Sequence, residues 1–229
     1  MTLTASPPVE KGVAALPRIA NPQDAAEARI NVALARLDAV VRTASGECRK
    51  DAEGPAAADA SWSRTVSVTM AGPGFLSLVI VDEPFCGGAH PDTGTQALVY
   101  DLTTGRPVDW KALLPPSMTG KIALQTGLDG TRTVSLTAPA LTALFLKGYP
   151  STEMGKDPDC RDAVKNGSDS PPAFSLWLNA KQGGLALQYD LSHVIQVCAN
   201  PVVIPASVLA RQGASPRLVA ALEAAHRGH

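Results

Sequence analysis

A chain of 229 residues with 45% hydrophobic and 18% charged content can bury a core as one large domain or two small ones, which excludes disorder for its bulk. Its 20 basic and 21 acidic residues leave a formal net charge of −1, so no global field draws it to nucleic acid or anionic lipid. Only 4% aromatic content beside 19 Gly and 19 Pro favours strands joined by turns over a helical bundle.

Residues 1–20, rich in Pro, Ala and Val, read as a flexible tether ahead of a single domain over 21–229. They lack the basic and apolar regions of a secretory signal, which is expected to have been removed; a lipid-anchored origin stays open. Asn21-Pro22-Gln23-Asp24 is a helix start, and Ile30, Ala33, Leu34, Leu37, Val40 and Val41 recur at three- and four-residue intervals as one buried stripe. This predicts a helix from about Asp24 to Arg42, stopped by Gly46. Trp62 to Met70 alternates as a half-buried strand, with Arg64 the exception on its apolar face. Ala71-Gly72-Pro73-Gly74 turns it into a second strand, Phe75 to Val81.

A third strand is predicted over Thr95 to Leu102, another over Arg106 to Trp110, and a helical turn over Lys111 to Leu114. Gly120 to Leu128 and Pro139 to Gly148 are helical candidates around a strand, Arg132 to Thr137. Tyr149 to Pro172 is a long polar connection with a helical turn near Asp159 to Val164; such a loop usually has a function or a staple. Phe174 to Asn179 and Leu185 to Leu191 form a hairpin, followed by strand at Val194 to Cys198 and Val202 to Ile204 and a helical turn at Pro205 to Ala210. Ser215 caps a closing amphipathic helix to His226. The fold class expected is α+β, an antiparallel sheet of five or more strands backed by the first helix.

Cys48, Cys86, Cys160 and Cys198 form no Cys-x-x-Cys pair and lack zinc-knuckle spacing, so they read as two disulfides made in an oxidising compartment. Of the three possible pairings, Cys48 with Cys86 and Cys160 with Cys198 avoids crossed connections and ties a polar connection to a strand end in each half. No apolar stretch is long enough to span a bilayer.

Chemistry-bearing patterns are sparse. No Gly-x-Ser-x-Gly elbow, P-loop or dinucleotide fingerprint occurs, so no catalytic residue, metal or cofactor is assigned. His90 and His193, with Asp92, lack a metal-ligand spacing, and His226 and His229 lie at a terminus expected to fray. Asp82, Glu83, Asp92, Asp101 and Asp109 could supply a carboxylate pair, but loop carboxylates ordinarily solvate. Asn166-Gly167-Ser168 matches a glycosylation sequon of no weight in a bacterial-looking chain.

The most specific string is Phe85-Cys86-Gly87-Gly88-Ala89-His90-Pro91-Asp92, followed by Tyr100-Asp101-Leu102-Thr103-Thr104-Gly105, Val108-Asp109-Trp110 and Leu113-Leu114. With Leu185 to Asp190 and Val202-Val203-Ile204-Pro205, it resembles the extracellular domain of RsiV-type anti-sigma factors, also appended to PdaC-type peptidoglycan deacetylases. The resemblance spans roughly Arg64 to Arg211 and implies an antiparallel α+β domain that binds lysozyme directly. No transmembrane, anti-sigma or deacetylase segment accompanies it here, so signalling and deacetylation do not carry over.

The expectation is a periplasmic or outer-surface binder without catalytic activity, an inhibitor or immunity protein against a lysozyme-like hydrolase; the alternative is an envelope module binding glycan or an envelope partner. Binding is expected at His90, Pro91 and Asp92 in the turn, and at Asp157, Asp159 and Asp162, whose charge would complement a basic lysozyme.

Overall fold

The computed structural model describes residues 1–52, 59–87, 89–166 and 172–228, with the backbone alone for 193 and 194. The chain divides into two compact units, Met1–Pro107 with Gln125–Thr133 (unit 1) and Val108–Leu124 with Val134–His229 (unit 2), where the sequence suggests one domain after a tether.

Unit 1 is built on the predicted helix and hairpin. Helix α1, Ala25–Asp51, is capped by Asp24, whose side chain accepts from the backbone N–H of Ala26 and Glu27. The cap thus lies three residues beyond Asn21, which takes a left-handed φ of 47°. Nor does the helix stop at Gly46. A mid-helix glycine costs only about 1 kcal/mol, and the turns beyond it are held from outside: Ser45 and Cys48 are buried, and Arg49 donates to both Glu10 oxygens at 2.6 and 2.7 Å.

Residues 1–20 are not a tether. β1, Leu3–Thr4, pairs antiparallel with β2, Arg18–Ile19, and both Val13 and Leu16 are fully buried. The segment is pinned by Asp38 of α1, which accepts from Leu16 N at 3.0 Å and from the Arg18 guanidinium at 2.5 Å. The apolar content that suggested flexibility is core.

β3 (Ser61–Ala71), β4 (Phe75–Phe85), β5 (Gly94–Asp101) and β6 (Arg106–Pro107) form an antiparallel sheet in chain order. The predicted α1 stripe meets it in part: Ile30 and Leu34 pack with Leu76, Leu78, Ile80, Leu98 and Tyr100, and Ala33 and Leu37 flank them half-buried, whereas Val41 packs with Val13, Cys48 and Trp62, and Val40 is exposed. Burial pushes the Tyr100 hydroxyl up to about 12. The predicted fourth strand is short because Asp109 turns away to cap α2, Trp110–Leu113, accepting from Lys111 N at 3.0 Å.

In unit 2 the sheet order is β11-β10-β9-β8-β7. Its strands are β7 (Lys121–Thr126), β8 (Arg132–Thr137), β9 (Phe174–Asn179), β10 (Gly184–Tyr189) and β11 (Val202–Pro205); the tip of the β7–β8 hairpin, Gln125–Thr133, belongs to unit 1. β7 stands where a helix was expected, because pairing with β8 outweighs local helical preference. Helices α3 (Pro116–Thr119), α4 (Pro139–Gly148), α5 (Pro158–Asn166), α6 (Ala206–Gln212) and α7 (Pro216–Arg227, capped by Ser215) surround the sheet sequence.

His193–Cys198 is a 3-10 turn rather than the predicted strand; its last carbonyl accepts from the Tyr149 hydroxyl at 2.7 Å. His226 does not fray, since its Nδ1 lies 3.1 Å from the Ala180 carbonyl.

Both disulfides are the predicted ones: Cys48–Cys86 in unit 1 and Cys160–Cys198 in unit 2. No helix among the described residues is long and apolar enough to cross a membrane.

Candidate functional site

The turn between β4 and β5 is the first candidate. Cys86, just past the end of β4, is bonded to Cys48 near the end of α1, which fixes one side of the turn. The other side is closed where Asp92 N donates to the Pro84 carbonyl at 3.0 Å and the Asp92 carboxylate accepts from Thr93 N at 2.8 Å. His90 is exposed, its Nδ1 3.1 Å from the Pro91 carbonyl. Gly88 of the motif lies outside the described residues.

The second candidate, the polar connection after α4, folds from Tyr149 to Asn166 into two 3-10 turns, Tyr149–Ser151 and Met154–Lys156, followed by α5. Tyr149 is buried, and its carbonyl accepts from both the backbone and the hydroxyl of Thr152. Gly155 approaches so closely that a Cβ there would lie 1.8 Å from the Tyr149 carbonyl oxygen, so only glycine fits. Asp157 caps α5, accepting from Asp159 N at 2.8 Å and Cys160 N at 3.5 Å, and its charge joins burial in raising the Tyr149 hydroxyl. Arg161 donates back to the carbonyls of Gly155 and Lys156, at 3.0 and 2.8 Å, and Asp162 accepts from Asn166 at 2.6 Å.

The three acidic residues expected on a binding surface thus come together on α5 and its cap, but two of them build the helix, and Asp159 stands exposed in its first turn. His90, Pro91 and Asp92 belong to unit 1 and these three to unit 2. The His193 side chain and the sequon positions 167 and 168 lie outside the described residues.

The strongest electrostatics in unit 1 fall elsewhere. Arg64 and Asp82 are wholly buried: Arg64 Nε donates to Asp82 Oδ1 at 2.7 Å, and its Nη2 to Asp82 Oδ2 at 2.6 Å and Asp129 Oδ2 at 2.7 Å. Trp62 Nε1 donates to Asp82 at 2.7 Å, and Gln96 and Thr131 N hold Asp129 at 2.9 and 2.8 Å. Desolvation opposes the charges of Asp129 and Arg64, yet the bonds outweigh it, holding Asp129 below the usual carboxylate range and raising Arg64. Gln96 reaches Asp129 because residue 127 is glycine; a Cβ there would sit 2.1 Å from the Gln96 amide nitrogen. Arg64 Nη1 and Gln96 Oε1 are buried without a protein partner among the described residues.

Asp82 is therefore no solvated loop carboxylate; of the others in that earlier group, Glu83 and Asp109 are exposed as expected, although Asp109 also caps α2, and half-buried Asp101 accepts from Thr103 N. The sequence held one signal of this cluster, an arginine on the apolar face of a strand; nothing in it placed Asp129 opposite. Among the described residues no group of three or more His, Cys, Asp and Glu is arranged to hold a metal.

No protein-family model matches the chain, and no curated protein matches it significantly. Among solved structures, a member of the DUF3298 family from Bacteroides fragilis has a TM-score of 0.50 at 16% identity, over 89% of this chain and 75% of that one. A DUF3298 family protein from Pseudomonas aeruginosa gives a TM-score of 0.48 at 17% identity, over 74% of this chain and 66% of that one, just under two thirds of its length. The likeness is one of fold: the chain is built like a DUF3298 family protein.

Proposed function

We propose that this protein is an extracytoplasmic binder without catalytic activity, an inhibitor or immunity protein directed at a lysozyme-like peptidoglycan hydrolase. The observation that carries the reading is the fixing of both candidate segments before any partner arrives: Cys48–Cys86 anchors the His90 turn, and Cys160–Cys198 anchors α5. A surface ordered in advance loses less entropy on association. The two disulfides are those of a protein folded where thiols are oxidised, the compartment in which such hydrolases act. The partner class comes from the resemblance of the Gly87-Gly88-Ala89-His90-Pro91 turn and its flanking strands to the RsiV-type domain.

Isothermal calorimetry against lysozymes of several classes tests this. Binding by at least one, weakened by His90→Ala or Asp159→Ala while the fold is retained, is the expected result. These positions are exposed; Asp157 and Asp162 are exposed as well, but their bonds within α5 mean that substituting them would report on the helix instead. Absence of binding to every hydrolase would end the reading, and binding insensitive to both variants would move the surface elsewhere.

A further inference from the structure

Unit 2 contains a small cleft where α4 and α5 meet the start of β9 and the end of β10, with a volume of about 60 Å³. A void of about 10–15 Å³ already holds a water molecule, so this one admits a small side chain. Its floor is aromatic and buried: the Phe145 and Phe174 rings lie 5.2 Å apart, and Tyr189 closes on Phe174 at 5.7 Å and meets Phe145 edge-on at 6.3 Å. Its rim is mixed. Leu146, 38% exposed, continues the apolar surface outward, and Lys165, exposed in the last turn of α5, supplies a cation. Thr142 adds a hydroxyl that donates to Ala138 O at 3.2 Å and keeps an oxygen lone pair to spare. Among the described residues, none that lines it carries a negative charge.

We propose that this cleft binds the C-terminal residue of a peptide chain, its apolar side chain on the Phe145–Phe174–Tyr189 floor and its carboxylate beside Lys165. An apolar floor alone would take any greasy group, and the Lys165 cation at the mouth selects one with an adjacent anion. Lys165 is ordinarily read as a cation favourable to the C-terminus of α5. That role is indifferent to the contents of the cleft, which makes the two separable. The site is independent of the hydrolase reading and would stand or fall without it.

NMR titration of the full isotope-labelled chain separates the alternatives, using Ac-Ala-Ala-Leu as the free acid, the same peptide as its C-terminal amide, and isovalerate. The acid should shift the signals of Thr142, Leu146 and Val164, and the amide should bind roughly two- to fivefold more weakly, the yield of one exposed ion pair. Lys165→Gln should reduce the acid to the level of the amide, and Lys165→Arg should restore the preference, with the rest of the spectrum unchanged in both. Absence of shifts at these residues, equal binding of acid and amide, an unaffected Lys165→Gln variant, or isovalerate binding as tightly as the peptide would each overturn the proposal.

Discussion

The unit around α1 buries an arginine between two carboxylates, whereas the unit around α4 buries a cluster of aromatic rings, although each is closed by one disulfide across 38 residues of chain. The two interiors answer to different physics. A ring cluster of Phe145, Tyr149, Phe174 and Tyr189 is nearly indifferent to pH and salt and yields in proportion to the volume removed. The Arg64 cluster has little net worth against an apolar replacement, yet removing any one member leaves buried charge uncompensated. The lesson is that burial alone does not rank these residues; what each would leave behind does.

The sharpest break of the comparison is Arg64→Ala, which should cost about 3–5 kcal/mol by stranding Asp82 and Asp129. Phe145→Ala should cost about as much, through a cavity. Replacing Arg64, Asp82 and Asp129 together by apolar residues should recover most of the Arg64 loss, whereas no second truncation next to Phe145 should recover any. Denaturant unfolding of the four proteins measures this, and an Arg64 variant as stable as the parent would refute the cluster.

Next in size, opening either disulfide as a Cys-to-Ser pair should cost about 4 kcal/mol or less, the chain-entropy figure for a loop of this separation. Each loss should be read mainly in its own unit by amide exchange. Transmission of the Cys160→Ser/Cys198→Ser loss to the amides of β3–β5 would show that the units do not unfold separately.

Acid should distinguish the interiors further. Asp129 is held below its ordinary range, so the stability it contributes is fully present above its unfolded pKa, about 3.9, and is lost as pH falls through the lower folded value. Tryptophan fluorescence of Trp62, which donates to Asp82 in the same cluster, should therefore change below about pH 4. The same change in Asp129→Asn at the same pH would assign it to another carboxylate.

The smallest effect is at Leu37. Full burial of the predicted stripe would make Leu37→Ala cost several kcal/mol, but the side chain flanks the α1 core half-buried, so about 1 kcal/mol is expected. Thermal melting resolves the two figures.

Much of this fold was legible because period and turn chemistry agreed. The α1 stripe, the β3–β4 hairpin, the Ser215 cap and both cysteine pairs follow from local pattern and from the avoidance of crossed staples. What was hidden depends on distant partners. Gly46 signals a stop only until Cys86 and Glu10 grip the turns beyond it; residues 1–20 look unstructured until Asp38 receives them; β7 reads as helix until β8 lies beside it. The candidate site was legible as two cysteine-bearing polar segments, but its internal order was not, since Asp157 and Asp162 could be assigned to α5 only once the helix was seen. The Phe145 cleft had no sequence signal, because its floor gathers residues from α4, β9 and β10.

The proposed function has the disulfide-fixed segments bind and restrain a lysozyme-like hydrolase. Its most direct measurement is the rate at which such an enzyme clears a peptidoglycan suspension with the oxidised protein present, compared with a Cys48→Ser/Cys86→Ser variant whose His90 turn is released. The oxidised protein should slow at least one lysozyme class, and the variant should slow it less. Clearing rates unaltered by the oxidised protein across all classes would contradict the proposed function.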